Sequence, residues 1–146
     1  MSIKVFLADD NSGFRQALQA LLRMEPDLAI IGEAANGRDA VAQILQCCPD
    51  VAILDLVMPE LDGIEATRQI GQSACTVWVI ILSMYGMEEY VRRAFAAGAR
   101  GYLLKEFAGH ELVRAIHAVH AGLSFIGTNL VHDSPQSFTD FPYTQP

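Results

Sequence analysis

The sequence predicts a doubly wound parallel α/β sheet in a single domain. Strand-like apolar runs alternate with segments of helical period, and the connections between them are short. The central run, Val51–Leu56, is nearly all apolar, as expected for a parallel strand that is covered on both faces. With 146 residues, of which 51% are hydrophobic and 18% charged, the chain is long enough to bury one sizeable core.

The first two β-α pairs are predicted from apolar spacing and from residues that end helices. Ile3–Ala8 is the predicted first strand, and the helix after it stops at Pro26. Leu28–Ala34 is the second strand, followed by a turn at Asn36-Gly37 and a helix that Pro49 closes. The apolar residues at helical spacing are Phe14, Ala17, Leu18, Leu21 and Leu22 in the first helix, and Ala40, Val41, Ile44 and Leu45 in the second.

Three further β-α pairs complete the pattern. Asp62-Gly63-Ile64-Glu65 is typical of a capping box and opens the third helix. Thr76–Leu82, rich in β-branched residues, is the fourth strand. The fourth helix ends near Gly98, and Gly101–Leu104 is a short fifth strand. The apolar stripes of the last two helices are Tyr90, Val91, Ala94 and Phe95, then Leu112, Ala115, Ile116 and Val119.

Strand order follows from the rules of chain connection. Right-handed crossovers leave few arrangements of five parallel strands, and the flavodoxin-like order 2-1-3-4-5 is the common one. In that order the switch point, where ligands bind, lies between the first and third strands. We therefore predict a flavodoxin-like (βα)5 fold whose site lies at the carboxyl ends of these strands.

Side chains suited to a divalent cation and a phosphoryl group follow four of the strands. The first run ends at Asp9-Asp10, the third at Asp55, the fourth at Ser83 and the fifth at Lys105. Three neighbouring carboxylates repel one another unless a cation is present, and Mg²⁺ prefers oxygen ligands. We therefore predict a Mg²⁺ and phosphate site, with Asp55 as the nucleophile of an aspartyl-phosphate. Lys105 would balance the phosphoryl charge and Ser83 would bind one oxygen.

Simpler interpretations exist for the individual residues. Asp9-Asp10 precedes a helix, where a negative charge is favourable without any ligand. Lys105 could be an ordinary solvated lysine at a strand end. Asp55 is harder to explain in this way, because a carboxylate among apolar neighbours is costly to bury without a partner.

The chain resembles the receiver domain of bacterial two-component response regulators over about residues 2–122. The resemblance rests on Asp9-Asp10, the VAILDLVMPELDG stretch around Asp55, the Ile-Leu-Ser end at Ser83, and GARGYLLK ending at Lys105. The ILSMY, GYLLKE and ELVRAIHAVHAG segments are most similar to the NarL/FixJ (LuxR-type) subfamily.

The resemblance implies a role for each site residue. Asp55 would accept a phosphoryl group from a phosphohistidine on a sensor histidine kinase. Asp10 would bind Mg²⁺ directly and Asp9 mainly through water, and Asp55 with the Val57 backbone carbonyl would complete the protein ligands. Lys105 would contact the phosphate.

The resemblance also implies how the signal leaves the site. Ser83 would capture a phosphate oxygen, and Tyr102, the aromatic switch residue, would turn inward as Ser83 moves. The altered surface would be formed by the fourth helix, fifth strand and fifth helix, and the chain would act as a homodimer. Glu106 stands where many receivers have proline, which suits the LuxR-type branch.

The predicted domain boundary lies at residue 122. Residues 1–122 are the receiver domain, and residues 123–146 are a linker or flexible tail, because they lack a helical period. No DNA-binding domain is expected in this chain, so DNA would be reached only through an absent output domain.

Three alternatives remain open. An enzyme that forms an aspartyl-phosphate would usually carry a second carboxylate two residues after the nucleophile, where this chain has Val57. The chain could also be a stand-alone receiver, or an interaction module that is never phosphorylated. We expect a phosphoacceptor that assists its own phosphorylation and dephosphorylation, and not an enzyme.

Composition and charge exclude several classes. A net charge of −7 argues against nucleic acid as a direct partner. No apolar run approaches the ~20 residues of a membrane span, and the N-terminus does not read as a secretory signal. Cys47, Cys48 and Cys75 lack metal-ligand spacing and are expected to stay reduced in a cytoplasm.

Overall fold

The computed structural model describes residues 2–130 and shows alternating strands and helices around one parallel sheet. The elements are β1 (Ile3–Ala8), α1 (Ser12–Arg23), β2 (Leu28–Ala34), α2 (Gly37–Cys47), β3 (Val51–Asp55), α3 (Gly63–Gly71), β4 (Trp78–Ser83), α4 (Glu88–Ala97), β5 (Gly101–Leu104), a 3-10 turn (Lys105–Phe107), α5 (Ala108–His120) and β6 (Phe125–Ile126). The strand order is β2-β1-β3-β4-β5-β6. The predicted flavodoxin-like order 2-1-3-4-5 is confirmed, with β6 added beside β5.

The sheet is covered by helices on both faces. Alternate residues of β3 enter two different cores: Ala52 and Leu54 face α2, α3 and α4, whereas Val51 and Ile53 face α1 and α5. All five residues of β3 are buried. The apolar run of β3 is therefore explained by burial on both faces of a parallel sheet, as predicted.

Helix ends show how local sequence sets the element boundaries. At the predicted turn, Asn36-Gly37, the chain bends from β2 into α2, and Asn36 caps the helix: its side chain accepts a hydrogen bond from Asp39 N at 2.8 Å. Asp62 caps α3 in the same way, through Glu65 N at 2.8 Å. Only half of the predicted capping box forms, since the Glu65 carboxylate pairs with the Arg68 guanidinium one turn later.

The segment after α5 differs from the tail predicted to start at residue 123. Phe125 N donates to Arg100 O at 2.9 Å and Gly127 N to Tyr102 O at 3.0 Å, which adds β6 to the sheet. Leu130 is buried in the core on the α4 side. Residues 123–130 are therefore part of the fold, because they cover an otherwise open strand edge. The rest of the predicted tail, residues 131–146, lies outside the described residues.

The prediction that all three cysteines stay reduced is wrong for two of them. A disulfide joins Cys48 to Cys75, whose Cα atoms lie 5.4 Å apart. Cys48 ends α2 with a left-handed backbone (φ 43°), which turns the chain back toward the loop after α3. Cys47 is free and exposed. The pairing spans 27 residues of sequence, so spacing alone did not reveal it.

Across residues 2–130, none of the helices combines the length and the apolar character that crossing a membrane requires.

Candidate functional site

The loops that follow β1, β3, β4 and β5 meet at one edge of the sheet and form a cavity of about 240 Å³. This is the edge where parallel α/β sheets bind ligands. The lining residues are Asp10, Asn11, Asp55, Val57, Ser83, Met84, Tyr85 and Lys105. The structure thus brings together the residues predicted from four separate strand ends, with Asp9 just beneath them.

Three carboxylates form the acidic part of the site. Asp9, Asp10 and Asp55 each place one oxygen within 4.8 Å of the others. Asp9 and Asp55 are only 2% and 6% exposed, whereas Asp10 is exposed. Asp9 Oδ1 accepts a hydrogen bond from Asn11 N at 2.9 Å, and the buried Asp9 Oδ2 pairs with the Lys105 ammonium. Hard oxygen ligands with spare lone pairs are the set that Mg²⁺ binds.

Lys105 lies against the two buried carboxylates. Its Nζ is 2.8 Å from Asp9 Oδ2, an ion pair, and 3.2 Å from Asp55 Oδ2, to which it donates a hydrogen bond. Nζ also lies 4.7 Å from the centre of the Phe14 ring. Burial works against the charged ammonium, but its contacts with Asp9 and Asp55 outweigh this and raise the pKa of Lys105. The lysine therefore stays charged in the site.

Asp55 has a strongly perturbed pKa. Burial, followed by repulsion from the Asp9 carboxylate, raises the pKa of Asp55, which has a net value of about 6. The charge and hydrogen bond of Lys105, together with the backbone of Val57, pull in the opposite direction. A cation placed among these carboxylates would remove the repulsion and favour the ionised, nucleophilic form of Asp55.

Ser83 and Tyr102 are linked to each other through Tyr85. Ser83 is fully buried, and its Oγ accepts a hydrogen bond from Tyr85 N at 2.8 Å. Tyr102 is also fully buried, and its hydroxyl donates to Tyr85 O at 2.7 Å. Burial raises the pKa of Tyr102 to about 12, so the phenol keeps its proton. The ring already has the inward position that the resemblance associates with a switched site.

Two glycines support the site and were not singled out as functional from the sequence. A Cβ on Gly63 would lie 2.3 Å from the Asp55 carbonyl oxygen. A Cβ on Gly37 would lie 1.9 Å from the carbonyl oxygen of Leu61, in the loop between β3 and α3. The Asp62-Gly63 pair after that loop was visible as a helix start, but the close backbone approach depends on tertiary packing.

Without metal, Asp55→Asn is expected to stabilise the protein above about pH 6. The folded chain holds the Asp55 proton to a higher pH than the unfolded chain, where the pKa has its ordinary value of 3.8. Stability therefore falls as the pH rises from about 4 to about 6, and the asparagine variant escapes this loss. We expect a gain of about 2 kcal/mol at about pH 8, somewhat less than the pKa shift alone implies, because solvent in the open cavity screens part of the repulsion.

Urea denaturation in EDTA at about pH 4 and about pH 8 measures this gain. The control is Asp50→Asn, because Asp50 lies at the opposite end of β3 and accepts a hydrogen bond from Lys4 N at 2.8 Å. The same gain for Asp55→Asn at both pH values would show that carboxylate charge is not its cause.

A family model for the response regulator receiver domain matches residues 5–117 of this chain. The chain belongs to the response regulator receiver family. It is 39% identical over 124 residues to the DNA-binding transcriptional activator DevR/DosR of Mycobacterium tuberculosis, a match that covers 85% of this chain and 57% of that protein. It is also 34% identical over 131 residues to the transcriptional regulatory protein DegU of Brevibacillus brevis, and this match covers 90% of this chain and 56% of DegU. The receiver chain thus spans little more than half the length of these two relatives.

Solved structures give the same family. The receiver resembles a LuxR-family two-component response regulator from Aurantimonas sp. SI85-9A1, with a TM-score of 0.83, 31% identity, and coverage of 96% of this chain and 97% of the other. It also resembles a chain of the CheX-CheY-BeF3-Mg²⁺ complex from Borrelia burgdorferi, with a TM-score of 0.75, 26% identity, and coverage of 80% and 88%.

Proposed function

We propose that this receiver is a phosphoacceptor in which Asp55 takes a phosphoryl group from a sensor histidine kinase in the cytoplasm. The observation that carries the proposal is the position of Asp55, buried at the centre of the sheet edge between two acidic side chains and Lys105. A carboxylate is costly to bury, which favours a functional role for Asp55 over a purely structural one. A chain of the Borrelia complex supports the proposal, because that complex holds BeF3 and Mg²⁺.

The chemistry assigned to the residues is a simple transfer. An Asp55 carboxylate oxygen attacks phosphorus, the new O–P bond forms, and the N–P bond to the donor imidazole breaks, leaving the electron pair on that nitrogen. The Lys105 ammonium stabilises negative charge on the transferring group. Mg²⁺, held by Asp10 directly, by Asp9 mainly through water, and by Asp55 and the Val57 carbonyl, would supply further charge neutralisation.

The switch that follows needs more than one contact. Moving an equilibrium from 1:99 to 99:1 takes ~5.5 kcal/mol, whereas one hydrogen bond to a charged group contributes ~1.5–3 kcal/mol. Lys105 is already paired with Asp55, so only the change in its interaction counts. We therefore propose that Ser83, Lys105 and the Tyr102–Tyr85 contact act together, with homodimerisation adding the remainder.

The proposed output is control of a LuxR-type DNA-binding domain through the surface of α4, β5 and α5. The relatives with DNA-binding or transcriptional names are longer than this chain, which supports an output domain outside the matched region. A stand-alone receiver is the alternative. An aspartyl-phosphate enzyme is less well supported, since the position two residues after Asp55 holds the apolar Val57.

The proposed function is tested by incubating the chain with acetyl phosphate and measuring its intact mass. We expect one labile phosphoryl adduct with Mg²⁺ present and none in EDTA, because the acidic cluster cannot take up a further anion without a cation. No adduct under any condition would favour the interaction module. Continuous consumption of the donor would favour an enzyme.

Ser83→Ala is expected to keep phosphorylation and to weaken phosphorylation-driven dimerisation by about 10- to 100-fold, the equivalent of one charged hydrogen bond. Sedimentation of the phosphorylated proteins measures the dimer dissociation constant. The control is Ser73→Ala, because Ser73 bonds the Ile70 carbonyl at the end of α3, away from the cavity. Full dimerisation of Ser83→Ala would remove Ser83 from the switch.

A further inference from the structure

The Cys48–Cys75 pair lies apart from the phosphoacceptor site. Both residues precede a strand, β3 for Cys48 and β4 for Cys75, so they lie at the amino edge of the sheet. Asp55 lies at the carboxyl edge of the same strands. Cys48 is exposed and Cys75 is partly exposed, so solvent-borne thiols can reach the pair.

The bond connects α2 to the loop between α3 and β4. Cys48 ends α2, and its N–H donates to Ile44 O at 2.8 Å. Cys75 lies in the loop between α3 and β4. The closed loop spans 27 residues, and cross-linking a loop of this size removes substantial chain entropy from the unfolded state. The bond therefore acts on the stability of the fold.

We propose that Cys48 and Cys75 are a reversible thiol–disulfide modification site that locks α2 to the loop between α3 and β4. A small disulfide RSSR oxidises the pair: one cysteine sulfur forms a mixed disulfide and releases RSH, and the second cysteine sulfur then displaces the other RSH. Two thiol hydrogens leave with the two RSH molecules, and one S–S bond forms. Exposure of the bond makes the reverse reaction with free thiols accessible.

The test treats the full chain with dithiothreitol or with oxidised glutathione, then alkylates free thiols and maps the modified peptides. We expect all three cysteines to be alkylated after reduction, and only Cys47 after oxidation. The oxidised protein is expected to melt about 10 °C higher than the reduced protein, and dithiothreitol should reverse the shift. Cys47→Ser should keep the shift, and Cys75→Ser should lose it.

Glutathione adducts on Cys48 and Cys75 in place of an internal bond would overturn the proposal. A bond that dithiothreitol cannot open would also overturn it, and so would equal melting temperatures of the two forms. The alkylation pattern of the unsubstituted chain stands even if Cys75→Ser fails to fold.

A second inference concerns residues 124–130, here called the C-terminal clasp. Thr128 donates to the Glu111 carboxylate twice, from its N–H at 3.2 Å and from its hydroxyl at 2.5 Å. Glu111 is buried, so these bonds are made away from bulk water. Leu130 packs against Gly86, in the loop between β4 and α4, and belongs to the same core as Leu104. The clasp is thus held at the edge of β5, where the predicted output surface lies.

Tyr102 joins the clasp to the site. Its backbone carbonyl accepts from Gly127 N at 3.0 Å, and its hydroxyl bonds Tyr85 O at 2.7 Å. Tyr85 N in turn bonds Ser83 Oγ at 2.8 Å. A movement of Ser83 toward a phosphate on Asp55 would draw residues 84–87 with it. Gly86 would then move away from the Leu130 side chain. The two residues are close: a Cβ added to Gly86 would lie 3.1 Å from the nearest Leu130 carbon.

The geometry points to the C-terminal clasp as the element that loosens when Asp55 is phosphorylated, an inference that rests on the proposed function. Hydrogen exchange measured by mass spectrometry, with and without Mg²⁺ and acetyl phosphate, tests it. We expect peptides covering Gly127 and Thr128 to exchange at least about 5-fold faster in the phosphorylated protein. Thr128→Val should speed exchange without phosphorylation, because it removes one bond to Glu111.

Intact mass in the same samples tests phosphorylation of Asp55 separately from loosening of the C-terminal clasp. An adduct with unchanged or slower clasp exchange would overturn this inference and leave the phosphoacceptor role standing. Absence of the adduct would overturn the proposed function itself, and the inference with it.

Discussion

Asp55→Asn is expected to abolish phosphorylation by acetyl phosphate in the presence of Mg²⁺. The initial rate of phosphorylation should fall by at least about 100-fold. The asparagine amide cannot act as the nucleophile, yet it fills the same buried volume next to Lys105. The rest of the acidic cluster, Asp9 and Asp10, remains in place. Intact mass spectrometry at a series of times measures the rate.

The matched control for this variant is Asp50→Asn. Asp50 immediately precedes β3, so the same chemical change is made at the opposite end of the strand that carries Asp55. This control should be labelled at the rate of the unsubstituted protein. Labelling of Asp55→Asn at that rate would mean that another carboxylate, Asp9 or Asp10, is the nucleophile.

Gly63→Ala is expected to lower the free energy of unfolding by about 3 kcal/mol and to slow phosphorylation. The new methyl would lie 2.3 Å from the Asp55 carbonyl oxygen, so either α3 or the end of β3 must move. Gly63 N also donates to Leu56 O at 2.8 Å, which fixes the distance between these two segments. Displacement of β3 would shift Asp55 relative to Lys105.

Gly109→Ala provides the comparison, since nothing lies within 4 Å of a Cβ at this position in α5. It should raise the free energy of unfolding by about 0.5–1 kcal/mol, because alanine favours the helix. Urea denaturation of both variants gives the two changes, with acetyl phosphate labelling as the second measurement. Equal stability of Gly63→Ala and the unsubstituted chain would show that the approach of α3 to β3 is not tight.

The grouping of the candidate site was predictable because it depends on strand ends. An apolar run that stops at Asp9, Asp55, Ser83 or Lys105 marks the carboxyl end of a buried strand. Parallel strands then place all these ends on one edge, whatever the details of packing. Strand order could also be predicted, because right-handed crossovers allow few arrangements of parallel strands.

Other features could not be predicted from the sequence, because they depend on distances between segments that are far apart along the chain. The Cys48–Cys75 bond forms only because a left-handed residue ends α2 beside the loop after α3. The short strand β6 has too few residues to show a hydrophobic period. It forms because its backbone pairs with the hydrogen-bonding groups at the open edge of β5. The capping role of Asn36 was missed because Asn-Gly is also a common turn signal.

The fold class, the strand order and the groups at the site follow from the amino-acid sequence, because hydrophobic period and strand ends are local properties. How those groups interact depends on the folded chain: Lys105 contacts both buried carboxylates, Tyr102 links Ser83 to the C-terminal clasp, and two cysteines are joined. These contacts depend on packing between elements, and packing distances of a few ångströms are not encoded in any single local pattern.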